Sequence, residues 1–160
     1  AEGSRALIES LRLNRTLTEL NLCHNFLGAP DGGVDVSQLL LVNTHLRYVS
    51  LKNTQIRVHG ALALAETVRA SHSLLGLDLS SNSLLKEGAA AMAEALTYNT
   101  SLRTVNLRNT RCGPEGSCAL LKALKTNTTL ERLDLGDVVL GPEGGACVGG
   151  MLARNSTLTA

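Results

Sequence analysis

The sequence predicts an α/β solenoid in which short strands and helices alternate along the whole chain, and three observations predict it. A leucine recurs at 17, 46, 74, 102, 130 and 158, at an interval of 29 residues once and 28 thereafter. Behind the first five leucines the same string returns: LTELNLCHNFL, LRYVSLKNTQI, LLGLDLSSNSL, LRTVNLRNTRC and LERLDLGDVVL. Within each unit the apolar period changes from two to between three and four, as a strand followed by a helix requires.

The chain begins in a helix-like segment from residue 1, carried by the residues around Ala6 to Leu11. Counting from each repeat leucine, positions four and six hold Leu20 and Leu22, Val49 and Leu51, Leu77 and Leu79, Val105 and Leu107, Leu133 and Leu135. They alternate with polar residues, so each string is a short strand with one face buried. Position nine holds Asn25, Thr54, Asn82, Thr110 and Val138, where the chain turns off the strand. Asn can bond a turning backbone with a donor and an acceptor and Thr with its hydroxyl, whereas Val has neither. Val138 is therefore expected to be a defect in a ladder.

After the turn come Gly60, Gly88, Gly116 and Gly144, with Pro114 and Pro142 ahead of the last two in the string GPEG, a helix start with Pro near the first turn. Ala61, Leu64, Ala65 and Val68 then recur as Ala89, Met92, Ala93 and Leu96 and as Ser117, Leu120, Leu121 and Leu124. That spacing is one apolar stripe along a helix. Glu66, Arg69, Glu94, Lys122 and Lys125 mark the opposite face. The string GPEGGACVGG (141–150) lacks the phosphate-loop pattern and aligns with the GPEG of the unit before it, so it too reads as a helix, weakened by about 1 kcal/mol per glycine. Leu158-Thr159-Ala160 opens a sixth strand.

Three residues before each repeat leucine stand Asn14, Asn43, Ser71, Asn99, Asn127 and Asn155, and Asn14, Asn99, Asn127 and Asn155 each begin an N-x-S/T sequon. Asn43 holds the same place without an acceptor hydroxyl two residues on, which reads as repeat grammar: a residue just past the helix that tolerates the left-handed conformation. On a secreted protein the same four asparagines would carry glycans along one edge.

Composition narrows the function classes. At 44% hydrophobic and 18% charged the chain can bury a core, and with Phe26, Tyr48 and Tyr98 as its aromatics that core is aliphatic. Net charge is +1 with acids and bases interspersed, so nucleic acid is not an expected partner. No apolar run approaches the roughly 18 residues that a bilayer span needs, so no membrane insertion is expected. Cys23, Cys112, Cys118 and Cys147 show no CxxC spacing and read as free thiols in a reducing compartment, which places the protein in the cytoplasm. The histidines (His24, His45, His59, His72) fall at different repeat positions without metal-ligand spacing. Cys23 and His24 are strand neighbours that point to opposite sides, with no third group to orient them. No metal site, no cofactor and no catalysis are expected.

A 28-residue repeat of strand, turn, long helix and Asn-x-Ser/Thr-Leu resembles the ribonuclease-inhibitor-like class of leucine-rich repeats, over the whole chain. The resemblance implies a right-handed β/α horseshoe with parallel strands on the concave face and helices on the convex one. It also implies a cytoplasmic protein that binds protein. The class includes the inhibitor itself, the sensor ends of NOD-like receptors, Ran GTPase-activating protein, tropomodulin-like actin cappers and flagellar scaffolds. Four cysteines and no tryptophan set this chain apart from the inhibitor. Residues 1–160 are then one leucine-rich-repeat domain, an uncapped excerpt of a longer array, with a partial repeat over 1–16, repeats from 17, 46, 74, 102 and 130, and a sixth from 158.

Between the strand leucines the residues vary from unit to unit while the core positions hardly change, as a recognition face would. Aromatics and arginines are the usual anchors of protein interfaces. Tyr48, Arg108 and Arg111 are accordingly the main candidates for partner contact, with Lys52, Asp78 and Asp134 supplying charge. Tyr48, Lys52, Arg108 and Arg111 are expected in the second and fourth strands. The function expected is a protein-protein interaction scaffold, or a ligand-sensing repeat region, that binds a protein partner through the concave strand face, with incorporation in a larger complex as a further expectation. The alternatives are a small-GTPase activator resembling that of Ran, or a structural segment of an axonemal or cytoskeletal assembly.

Overall fold

The computed structural model describes residues 2–27 and 32–159. Helix and strand alternate throughout: α1 (Glu2–Arg12), β1 (Glu19–Asn21), α2 (Gly32–Val42), β2 (Tyr48–Ser50), α3 (Val58–Ala70), β3 (Gly76–Asp78), α4 (Leu85–Tyr98), β4 (Thr104–Asn106), α5 (Gly113–Ala123), β5 (Arg132–Asp134) and α6 (Gly144–Leu152). Residue 1 and Ala160, which the sequence assigns to the first helix and to a sixth strand, lie outside the described residues. The Thr159 N–H donates to the Glu131 carbonyl at 2.8 Å, as the Glu131 N–H does to the Arg103 carbonyl one repeat earlier.

The strands form one parallel sheet in chain order, β1-β2-β3-β4-β5, in the register of the sequence repeat. Leu20, Val49, Leu77, Val105 and Leu133 are successive Cα partners, as are Asn21, Ser50, Asp78, Asn106 and Asp134. Position-four and position-six side chains of the three middle units (Val49, Leu51, Leu77, Leu79, Val105, Leu107) are at most 2% exposed. They meet the helix stripes predicted from spacing, all of whose twelve residues are buried. Leu133 and Leu135 are only half-buried, since they have a complete neighbouring repeat on one side alone.

The recurring glycines do more than mark helix starts. A methyl group added at Gly33 would come within 2.7 Å of the Gly60 Cα, one at Gly88 within 2.9 Å of the Ala61 Cβ, and one at Gly116 within 2.8 Å of the Ala89 Cβ. Neighbouring helices approach at these points as closely as backbones allow, which is what keeps the helical layer in step with strands about 4.8 Å apart.

Three ladders tie the turns together. At position eight His24, Asn53, Ser81, Asn109 and Asp137 all adopt left-handed backbone, with φ between 51 and 59°. The N–H groups of His24, Asn53, Ser81 and Asn109 each bond a carbonyl of the following repeat at 2.9 Å. At position nine Thr54, Asn82 and Thr110 are buried, and the two threonine hydroxyls donate to the Leu51 and Leu107 carbonyls at 2.7 and 2.6 Å. Val138 leaves that ladder without a rung. By the geometry of Asn82, an asparagine at 138 would reach the carbonyls of Leu107 and Leu135 and the N–H groups of Thr110 and Cys112. Val138→Asn is expected to be neutral to about 1 kcal/mol stabilising in urea denaturation, and a clear loss of stability would contradict the alignment of the ladder.

The third ladder answers the sequon question and corrects the reason offered for it. Asn99 ends α4 with φ −73° and ψ 133°, so the asparagine past the helix is extended and not left-handed. Its value lies in its side chain. Each Nδ2 reaches back one repeat to two carbonyls, from Asn43 to Leu11 and Asn14, from Asn99 to Val68 and Ser71, from Asn127 to Leu96 and Asn99, and from Asn155 to Leu124 and Asn127, at 2.6 to 3.3 Å. Each Oδ1 accepts from the N–H of its own repeat leucine, as at Leu46, Leu102, Leu130 and Leu158. A glycan attaches through Nδ2, so sugar and ladder exclude one another. Passed through a secretory host, folded protein is expected to carry no sugar at Asn99 or Asn127 by intact-mass spectrometry; natively folded material with Asn99 occupied would refute the ladder.

The cysteines depart from expectation. Cys118 of α5 and Cys147 of α6 form a disulfide with Cα atoms 5.6 Å apart, leaving Cys23 and buried Cys112 free. Their separation of 29 residues is one more than the repeat period, which sets them on facing sides of adjacent helices. The bond ties the glycine-rich α6, the weakest helix former of the chain, to its neighbour.

Candidate protein-docking face

The outward side chains of the strands come from positions three and five, and together they line a shallow groove of about 440 Å3 across all five strands. Tyr48 is its main feature. The ring lies across Gly76, where an added methyl group would meet the Tyr48 Cδ1 at 2.6 Å and the Thr104 Oγ1 at 2.8 Å. Gly76 thus gives the ring a seat on the sheet, and Tyr48 remains 45% exposed above it. A half-exposed ring seated against the sheet presents apolar surface at little cost in side-chain entropy.

Asp78 and Asp134 share this groove, with Glu19 and Arg132 at its ends. Both also have a local task that periodicity did not reveal. Asp78 Oδ1 accepts the Ser80 N–H at 2.8 Å and Asp134 Oδ1 the Gly136 N–H at 2.7 Å, as Asn21 and Asn106 do for Cys23 and Arg108. Position five therefore caps the turn that leaves four of the five strands, the exception being Ser50 of β2, whose hydroxyl contacts Cys23 and Asp78 instead. The second oxygen of Asp78 keeps a 3.4 Å contact with the Ser50 hydroxyl and faces the groove.

The structure brings Tyr48, Asp78 and Asp134 together but not all six predicted residues. Lys52 and Arg108 lie in the turns beyond β2 and β4, exposed at the groove's rim, and Arg111 lies further along, so none of the three is in a strand. The cause is strand length: three residues complete each strand, and position seven already belongs to the turn. Arg108 is also drawn sideways, its Nε 2.9 Å from Asp137 Oδ2 and its guanidinium spread over Gly136. Arg111 opens into a separate pocket that it shares with Arg57, Ser81 and Ser83. Arg57 follows the repeated string and so fell outside every position considered in the sequence.

Cys23 and His24 have different partners, the Ser50 hydroxyl at 2.9 Å from the sulfur and the Asn53 amide at 2.9 Å from Nδ1. Among the described residues no group of three His, Cys, Asp or Glu is placed to hold a metal ion. No described helix is long and apolar enough to cross a membrane.

Comparison with known proteins bears on this architecture. A family described as Leucine Rich repeat matches residues 42–65 and 126–149, segments that contain β2 and β5 with the chain to either side. No curated protein matches the sequence. Among solved structures, Leiomodin-1 Actin-Binding Site 2 superposes with a TM-score of 0.78 at 28% identity, covering 96% of this chain and 88% of that one. The tropomodulin C-terminal domain of Caenorhabditis elegans shares the fold with a TM-score of 0.77 at 24% identity, over 95% of this chain and 92% of its own. Register, alternation of strand and helix, and these likenesses identify the chain as an α/β leucine-rich-repeat solenoid.

Proposed function

We propose that the protein is a non-catalytic interaction scaffold of a cytoskeletal assembly in the cytoplasm, that its strand face is the docking surface, and that actin is its partner. The observation that carries the docking surface is the seat of Tyr48: an exposed ring of β2 held over Gly76 of β3, in a groove that also takes the carboxylates of Asp78 and, two strands further on, Asp134, with Lys52 and Arg108 exposed in the turns beyond the strands. An apolar centre ringed by charge is the arrangement of a protein-binding patch. Actin enters because a similar structure at 28% identity is named for an actin-binding site.

Co-sedimentation with actin filaments, and sedimentation velocity with monomeric actin, test the partner. Saturable binding to either form is expected, and absence of binding to both would reject actin. The compartment has its own test, since a reducing cytosol would open the Cys118–Cys147 disulfide into two neighbouring thiols. Protein taken from cells under an alkylating quench is expected to carry label on both, and complete protection of the pair would reject the cytoplasmic setting.

A further inference from the structure

A second surface, independent of the strand face, gathers hydrogen-bond donors with no acid among the described residues to answer them. On the edge where the chain leaves the strands, a pocket of about 460 Å3 takes Gln55 and Arg57 from one repeat, Ser81 and Ser83 from the next, and Asn109 and Arg111 from the one after. No carboxylate among the described residues lines it. None of these six side chains has a hydrogen-bond or ion-pair partner among the described residues, whereas Arg69, Arg103 and Arg108 are paired with Glu94, Glu131 and Asp137. The floor is closed, because the Asn82 amide is consumed by the turn ladder beneath.

The spacing suits one small anion. Arg57 and Arg111 belong to repeats two apart, so their backbones stand roughly 10 Å from each other with the two serines between. Both arginines and both serines line the one pocket, so a group bound there is within reach of two guanidinium groups and two hydroxyls. Each guanidinium is a planar fork that grips two oxygens. A carboxylate, with two oxygens and a single charge, is satisfied by one such fork. A phosphate monoester carries three terminal oxygens and about −1.5 to −2 charge at neutral pH, matching two arginines and leaving an oxygen for a serine hydroxyl.

We infer that this pocket binds a phosphate monoester carried on a side chain of a protein partner. The open mouth admits a side chain projecting from a folded surface or an extended segment, and the bound group bridges three repeats.

The test uses the whole chain and a five-residue peptide with one central phosphoserine flanked by alanine and glycine. The peptide is expected to shift the NMR signals of Gln55, Ser81, Ser83 and Asn109 and to leave those of Tyr48 and Asp78 in place. Arg57→Gln with Arg111→Gln is expected to weaken binding by at least about tenfold at an unchanged melting temperature. The unphosphorylated peptide, and one with glutamate in place of phosphoserine, are expected to bind at least about tenfold more weakly. Equal binding of the glutamate peptide would overturn the assignment to phosphate. Inorganic phosphate binding as tightly as the peptide would overturn the assignment to a side chain, and no shift with either probe would overturn the site. Tyr48→Ala leaves this binding unchanged, so failure here and failure of the strand-face proposal are read separately.

Discussion

Asn82→Ala is expected to cost about 3 kcal/mol of stability, more than a single surface hydrogen bond because several buried backbone groups lose their partner together. The side chain is 4% exposed. Its Nδ2 donates to the Leu51 carbonyl at 2.7 Å and the Leu79 carbonyl at 2.9 Å, and its Oδ1 accepts from Ile56 at 2.9 Å and Thr54 at 3.2 Å. Three of these groups, at Leu51, Thr54 and Ile56, lie in the preceding repeat's strand exit, so the amide clamps one turn to the next. Alanine leaves the carbonyls and N–H groups facing a hole, and water entering it restores part of the loss, which keeps the figure below the sum of its parts. Asp is a sharper control. It retains an acceptor but sets a carboxylate against two carbonyls, so it is expected to be at least as damaging as alanine. The measurement is chemical denaturation with the slope held constant. A loss below about 0.5 kcal/mol would mean the turn is supported by something other than this amide.

Tyr48→Ala is expected to weaken binding of the protein partner by about 2 kcal/mol or more, about thirtyfold, without loss of stability. The ring lies outside the leucine core, and its removal uncovers the Gly76 backbone but opens no interior cavity. The seat supplies an independent variant. Gly76→Val retains the tyrosine but puts side-chain carbon where the ring lies, and it is expected to reproduce most of the loss. Charge reversal on the outer helices, at Glu66, Glu94 or Lys122, is expected to change affinity by less than about 0.5 kcal/mol. Loss of the partner with the helix variants and retention with both strand variants would move the docking surface to the helices.

What could be read from the sequence divides along a physical line. Strand faces and helix stripes depend on side-chain periods of two and 3.6, which are properties of the local backbone, so Leu77 and Leu79 or Leu64 and Val68 were identifiable without knowing their neighbours. Position nine was legible for the same reason, since an amide at a turn has a known use. The asparagine before each repeat leucine was recognised as structural, but the left-handed backbone expected there occurs instead at position eight, where the chain bends directly off the strand. Of the candidate docking residues, Tyr48, Asp78 and Asp134 were legible as outward strand positions, and the turn-capping role of the two aspartates was missed because it requires the turn's actual path.

The remaining features exist only between repeats. Asn99 needs the carbonyl of Val68 from the turn beneath it, Cys118 needs Cys147 on the adjoining helix, and Tyr48 needs the bare backbone of Gly76 on the next strand. Arg57 and Arg111 share a pocket across an intervening repeat, although nothing in either one's local sequence points to the other. The 28-residue period told which units stack; it carried no information on how near their edges come or which side chains then face each other. Those are set by the glycine contacts between helices and the hydrogen-bonded register between strands, which bring atoms one or two periods apart to within a few ångströms.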